Sequence, residues 1–181
     1  MNVQKSFLLD TNAYFNYLKH TVDSLTSHTN QVDTIKASAN YISTITEIEI
    51  ISALGKHSRS PADNTHKCDR ILADGSICTH SYIVSRPKPW KKKVIFKWLE
   101  LIKQIREGKS TLLKLNVIPF GSDEINEAQS IIQHALVSNF GSLDAIIAAT
   151  AQSNSLTVVT SDKGLKSCLR ACGIPYWDAF N

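Results

Sequence analysis

The sequence SFLLDTN, residues 6–12, joins a short apolar run to an aspartate and two further polar residues. Ser6–Leu9 has the length and apolar character of a strand that is buried on both faces. A helical pattern then runs from about Ala13 to Leu18. The stretch therefore predicts a buried strand that ends next to Asp10 and is followed at once by a helix.

The same order of strand and helix recurs along the chain. Further strands are predicted at Tyr41–Ile45, Asn116–Phe120 and Leu156–Thr160, with an edge strand within Ile174–Phe180. Helices are predicted from Thr46 to Leu54 (closed by Gly55), over Val94–Ile105 (stopped by Gly108), from Ser122 to Ala135, from Ser142 to about Ser153, and from Asp162 to Ala171. Such alternation predicts an α/β fold with three layers, in which helices cover both faces of a central parallel sheet of four to five strands.

Length and composition limit the class of protein. A chain of 181 residues with 43% hydrophobic residues is expected to form a single domain, 1–181, with a packed core. Residues 56–110 interrupt the alternation and are interpreted as a helical and basic insertion. No apolar run is long enough for a membrane span, and the first residues do not resemble a signal peptide. We therefore expect a cytoplasmic protein without a membrane partner.

Positive charge is concentrated in one segment. Residues 86–109 contain nine Lys or Arg and two Glu, so the segment carries +7, whereas the whole chain carries +4. The remaining residues therefore carry −3. This distribution indicates an acidic body with a basic segment suited to a polyanion.

Four acids lie directly after a predicted strand or in the first turn of a predicted helix: Asp10, Glu49, Asp144 and Asp162. Asp10 and Asp162 follow strands, and the other two lie in first turns of helices, so all four can face the crevice at the carboxyl ends of the strands. Each also has a structural alternative, namely a turn, the helix dipole, or a capping box from Thr46 to Glu49.

Carboxylates gathered in one crevice repel one another unless a cation lies among them. Mg²⁺ and Mn²⁺ prefer oxygen ligands and can activate a water while neutralising charge on a phosphate. The four acids therefore predict a Mg²⁺ or Mn²⁺ site for phosphodiester hydrolysis.

These motifs resemble those of PIN-domain nucleases, with VapC-type toxin ribonucleases as the most similar group. The resemblance covers residues 6–55 and 115–181 and rests on four segments: LLDTN (8–12), ISTITEIE (42–49), LDAIIAATA (143–151) and VVTSD (158–162). It implies a metal-dependent endoribonuclease whose metal ligands are the four acids. It also implies that Asn12 and Thr160 support those acids by hydrogen bonds. Glu49 matches the shared acid, whereas Glu47 points about 200° round the helix.

The resemblance further implies an antitoxin partner and a homodimer. Two rival functions remain open from the sequence: a non-catalytic RNA-binding module on the same fold, and a DNA or flap-type nuclease. The long connection at 56–110 departs from the family pattern, which leaves the substrate and the antitoxin partnership open.

The basic segment contains a candidate RNA contact. Lys91, Lys92 and Lys93 follow Trp90, so phosphate attraction and a base-stacking ring stand side by side. The alternative is a solvated basic face with the tryptophan buried.

A second metal site is predicted inside the insertion. His66 and Cys68 precede, and Cys78 and His80 follow, a hairpin turn at Ala73-Asp74-Gly75. Residues two apart on a strand share a face, so the four side chains could bind structural Zn²⁺. Unliganded thiols or a disulfide between the two cysteines are the alternatives.

Overall fold

The fold is taken from a computed structural model of the chain. It describes residues 5–22, 28–58, 65–67, 70–78, 81–83, 90–111, 113–134 and 142–181. The strands are β1 (Ser6–Leu9), β2 (Ala39–Ser43), β3 (Thr65–Lys67), β4 (Ser81–Ile83), β5 (Leu115–Ile118), β6 (Thr157–Val159) and β7 (Tyr176–Trp177). The helices are α1 (Thr11–Val22), α2 (Thr29–Lys36), α3 (Thr44–Ser58), α4 (Lys92–Arg106), α5 (Ser122–His134), α6 (Ser142–Ser153) and α7 (Lys163–Ala171).

The predicted parallel sheet is confirmed. Its five strands follow the order β5-β2-β1-β6-β7, and every neighbouring pair is parallel. From β1 the chain builds outward to β2 and β5, and then returns to the other side of β1 with β6. The order of strands therefore reverses between β1 and β6, where the carboxyl ends of two neighbouring strands open a crevice.

Two apolar clusters cover the two faces of this sheet. Phe7, Leu9 and Val159 pack into one cluster with side chains of α1, α3 and α4. Leu8 and Val158 pack into the other with α5, α6 and α7. Alternate residues of a strand thus enter opposite layers, as the strand period requires. The three-layer α/β/α prediction is confirmed.

Some boundaries differ from the sequence-based ones. The second strand begins and ends two residues earlier than predicted. Its end is set by Ser43, whose hydroxyl accepts the Thr46 backbone N–H at 3.1 Å and so caps α3 at its start. Gly55 does not end α3, which continues to Ser58. Gly108, with φ +66°, does follow the end of α4, as predicted. The sequence pattern did not indicate α2, in which Ile35 alone is classed as buried.

The segment interpreted as a helical insertion also contains a small antiparallel sheet. β3 pairs with β4, and Ile71 and Ile77 form a bridge nearer the turn. Gly75 has φ +80° and its N–H donates to the Leu72 carbonyl at 2.9 Å, so the predicted turn is confirmed. In contrast, α4 is part of the main core through Trp98, Ile102 and Ile105.

No helix in the described ranges is long and apolar enough to cross a membrane.

Candidate active site

The four predicted acids line one pocket. It has a volume of about 540 Å³ and lies at the carboxyl ends of β1 and β6. Asp10 follows β1 and Asp162 follows β6, while Glu49 is on α3 and Asp144 is in the first turn of α6. The fold thus gathers four acids that are far apart in the chain.

Asp10 is the most enclosed of the four. It is only 3% exposed, and its backbone N–H extends the β1–β6 ladder by donating to the Val159 carbonyl at 3.2 Å. Its Oδ1 accepts the Ala13 backbone N–H at 2.5 Å, which caps α1, and its Oδ2 accepts the Thr160 hydroxyl at 2.5 Å. Both oxygens are therefore oriented by fixed donors.

The environment of Asp10 disfavours its charged form. Its pKa is raised from the ordinary 3.8 to about 6, mainly by burial, and the nearby charges of Asp162 and Asp144 contribute in the same direction. Hydrogen bonds from Thr160 and Ala13 act in the opposite direction. A carboxylate held this way in the absence of a counterion has an electrostatic reason to bind a cation.

The family resemblance predicts that Thr160 and Asn12 support the acids by hydrogen bonds, and in the part of the chain that the structure describes such bonds are seen for Thr160 only. Thr160 is fully buried and donates to Asp10, and its hydroxyl oxygen also accepts the Asp162 backbone N–H at 3.0 Å. It thereby joins two of the acids. Asn12 is exposed and lines the pocket, but across the described ranges its side chain makes no hydrogen bond to an acid.

Glu49 is positioned by a residue that sequence reasoning missed. The Thr11 hydroxyl, from the first residue of α1, donates to Glu49 Oε2 and so connects α1 to α3. The capping-box alternative for Glu49 does not hold, because Ser43 and Thr46 make the cap. Thr11 could have been suspected from its place next to Asp10, but only the fold shows which acid it reaches.

Glu47 has a different environment. It is 8% exposed and forms an ion pair with Arg106 of α4, with Nε 3.5 Å from Oε1. The two glutamates of α3 thus face different neighbours, as their angular separation predicts. Glu47 connects α3 to α4, whereas Glu49 lines the pocket.

Asp162 combines a structural contact with its place in the pocket. Its Oδ1 accepts the Leu165 backbone N–H at 2.8 Å and caps α7. A capping carboxylate keeps its second oxygen available for another partner.

The donor set fits a hard divalent cation. Within the described residues, Asp10, Glu49 and Asp162 form no ion pair with Lys or Arg. Over the same ranges, no three His, Cys, Asp or Glu side chains lie close enough together to hold a metal ion by themselves. Mg²⁺ uses only one or two carboxylates and completes its shell with waters and substrate phosphate, so both observations are compatible with that ion.

The predicted RNA-contact residues lie at the start of α4. Lys91, Lys92 and Lys93 are exposed. The Trp90 ring lies 5.8 Å from Phe15 and 5.6 Å from Trp98 between centroids, so it is packed partly against the core. Base stacking by this ring stays a prediction.

Two of the four predicted zinc ligands, Cys68 and His80, lie outside the described residues. His66 is in β3 opposite Tyr82, and the Cys78 N–H donates to the Arg70 carbonyl at 2.8 Å. Zinc binding stays a prediction.

Solved structures share this fold. A DNA-bound VapBC from Salmonella typhimurium matches with a TM-score of 0.59 at 19% identity, over 97% of this chain and 99% of that one. VapBC2 from Rickettsia felis, bound to a promoter DNA fragment, gives 0.58 at 15% identity over 95% and 97%. FitAcB from Neisseria gonorrhoeae gives 0.53 at 19% identity over 97% and 99%. At these identities the likeness concerns the fold.

No curated protein sequence matches the chain significantly. A family model does match, and it spans residues 7–168, from the first buried strand to the helix that Asp162 caps. All four acids at the switch point of the sheet lie within the matched residues. The chain belongs to the PIN domain family.

Proposed function

We propose that this protein is a metal-dependent endoribonuclease that hydrolyses RNA phosphodiester bonds. The observation that carries the proposal is the pocket that contains Asp10, Glu49, Asp144 and Asp162 at the switch point of the sheet. Membership of the PIN family, whose members are generally nucleases, supports hydrolysis of nucleic acid. RNA as the substrate rests on the resemblance to VapC-type toxins and on the basic segment.

Each acid has a role in the proposed reaction. Asp10 and Asp162 would hold Mg²⁺ or Mn²⁺ at the carboxyl ends of β1 and β6, with Glu49 and Asp144 completing the acidic wall from α3 and α6. A cation bound there would supply a water of lowered pKa and neutralise charge on the phosphate. Thr160 and Thr11 would keep Asp10 and Glu49 in place by hydrogen bonds. Attack by water leaves no covalent enzyme intermediate.

The test uses labelled single-stranded RNA, structured RNA and DNA, each with Mg²⁺, Mn²⁺ or EDTA. We expect cleavage of RNA that EDTA abolishes and that Asp10→Asn and Asp144→Asn lower by at least about 100-fold. Asp33→Asn is the matched control, because Asp33 is an exposed acid on α2 outside the pocket. Cleavage that persists in the two pocket variants would come from a contaminant and would remove the proposal. Cleavage of DNA alone would favour a DNA nuclease on the same fold.

We further propose that the chain acts as the toxin of a toxin–antitoxin pair and binds an antitoxin protein. The resemblance to VapC-type toxins supports this role, and the VapBC structures named above share the fold. Growth arrest on expression, relieved by a small protein from a neighbouring reading frame, is the expected result. Light scattering of purified protein tests the predicted homodimer in the same preparation.

A further inference from the structure

The acidic pocket has one wall with a positive charge. Ser52, Ala53 and Lys56 line it together with Glu49, all from α3. Positions three, four and seven apart share one face of a helix, so Lys56 stands two turns beyond Glu49 on the same face. Among the described residues that line the pocket, Lys56 is the one that carries a positive charge.

This lysine is not used to neutralise the acids. It is exposed, and in the described part of the chain it forms no ion pair with a carboxylate. The distance along α3 explains this, since seven residues of helix extend roughly 10 Å. The ammonium group is therefore available to a ligand that enters the pocket.

Sequence reasoning placed the RNA-binding charge in residues 86–109, which do not include Lys56. No other observation assigns this residue a role, and no structural contact in the described ranges requires a cation there. A positive charge on this wall would attract a polyanion to a pocket whose other charges repel it.

We propose that Lys56 binds a backbone phosphate of the nucleic acid, next to the phosphate that lies at the four acids. The inference rests on the proposed nuclease function and adds to it the residue that sets the path of the strand along α3. Lys56 contributes to substrate binding, so its removal raises KM and leaves kcat close to the parent value.

The experiment measures binding of a labelled 12-nucleotide single-stranded RNA in magnesium, with Asp144→Asn present in every protein so that cleavage does not interfere. Lys56→Ala is compared with Lys56→Arg and with Lys36→Ala, an exposed lysine on α2 outside the pocket. Loss of one phosphate contact lowers the slope of log affinity against log salt by about 0.7 in magnitude. We expect that change with about 3- to 10-fold weaker binding at moderate salt for Lys56→Ala, whereas Lys56→Arg and Lys36→Ala stay close to the parent protein.

Affinity and salt slope equal to those of Lys36→Ala would overturn the inference while the nuclease proposal stands. A fall in kcat at unchanged KM in magnesium would also overturn it, since a distant phosphate contact acts on binding. A parent protein that neither binds nor cleaves RNA would overturn both. Thermal unfolding of each variant excludes misfolding as the cause, because an exposed lysine contributes little to stability.

Discussion

The Thr160 hydroxyl donates a 2.5 Å hydrogen bond to Asp10 Oδ2 while its oxygen accepts the Asp162 backbone N–H at 3.0 Å. One buried side chain therefore fixes the two acids that follow the neighbouring strands β1 and β6. Its contact lowers the pKa of Asp10, which burial otherwise raises. Support of this kind commonly changes metal affinity although the supporting residue never touches the ion.

Thr160→Val tests this support with a side chain of similar shape. The pKa of Asp10 should rise further, because the hydrogen bond that lowers it is lost. We expect Mn²⁺ affinity, measured by calorimetry, to fall about 10- to 100-fold. The acidic limb of the pH–activity profile should move to higher pH. Thr160→Ser keeps the hydroxyl and should behave like the parent protein; equal metal affinities in all three proteins would contradict the role.

Asp10→Asn should stabilise the metal-free protein at neutral pH. The folded-state pKa of about 6 lies above the ordinary 3.8, so this group's favourable contribution is complete below about 3.8 and is lost as pH rises through about 6. The difference between these two pKa values corresponds to at most about 3 kcal/mol in the free energy of unfolding. Chemical denaturation in EDTA should therefore show a gain for the variant at pH 7.5 that vanishes near pH 4. A constant gain at both pH values would point to a cause other than this charge.

Magnesium should make the parent protein more stable than Asp10→Asn, the opposite of the order expected in EDTA. The parent protein should gain stability in proportion to the logarithm of magnesium concentration above its dissociation constant, whereas Asp10→Asn should gain much less. Melting temperatures across a magnesium titration measure the effect, with Asp33→Asn as the exposed-acid control. Equal shifts in the parent and Asp10→Asn proteins would show that the ion binds elsewhere.

Sequence alone predicted the layers of this fold because apolar strands covered on both faces have a clear pattern, as in Phe7–Leu9. It also placed Asp10 and Asp162 at the same edge of the sheet, since both follow strands of one parallel sheet. Side-chain contacts between elements far apart in the chain could not be predicted from the sequence pattern. Thr11 reaches Glu49 across 38 residues of chain, and no local pattern encodes such a pairing.

The missed helix and shifted boundary have equally physical causes. In α2, Ile35 alone is classed as buried, so it lacks the apolar stripe by which an amphipathic helix is recognised. Ser43 ends β2 and caps α3 with its hydroxyl, but Thr44 and Thr46 nearby are equally plausible caps by residue type. Sequence reasoning did not single out Lys56, because only the fold shows that this part of α3 lies beside the acids.

The two glutamates of α3 should separate stability from activity. Glu49→Gln should lower RNA cleavage strongly with little change in unfolding free energy, because Glu49 lines the pocket. Glu47→Gln should leave cleavage near the parent level and cost roughly 0.2–1 kcal/mol, since its partner Arg106 is 65% exposed. Cleavage assays and urea denaturation of both variants decide this. Loss of cleavage in Glu47→Gln in a fully folded protein would contradict the division of roles.

Zinc in the hairpin is testable by metal analysis of protein purified without chelator. If His66, Cys68, Cys78 and His80 bind structural zinc, we expect about one zinc per chain, reduced in Cys78→Ser. Cys172→Ser is the control, because Cys172 caps the end of α7 and is not one of the predicted zinc ligands. A protein without zinc, or with the same content in both variants, would remove the prediction.

The lysines that begin α4 offer a test in which stability and binding should change in opposite directions. Three positive charges at a helix amino terminus are unfavourable to the helix dipole, so replacing Lys91, Lys92 and Lys93 by Ala should raise the free energy of unfolding by a few tenths of a kcal/mol or more. If these side chains bind phosphate, the same variant should bind RNA more weakly, with a salt slope lower by about 2 in magnitude.

A triple replacement of Lys5, Lys36 and Lys114 removes the same charge from exposed sites outside the basic segment. It separates a local contact from a general effect of net charge on a polyanion. Equal losses of RNA affinity in the two triple variants would show that Lys91–Lys93 form only a solvated face. A greater loss at α4 would show that Lys91–Lys93 bind RNA although their charges disfavour the start of the helix.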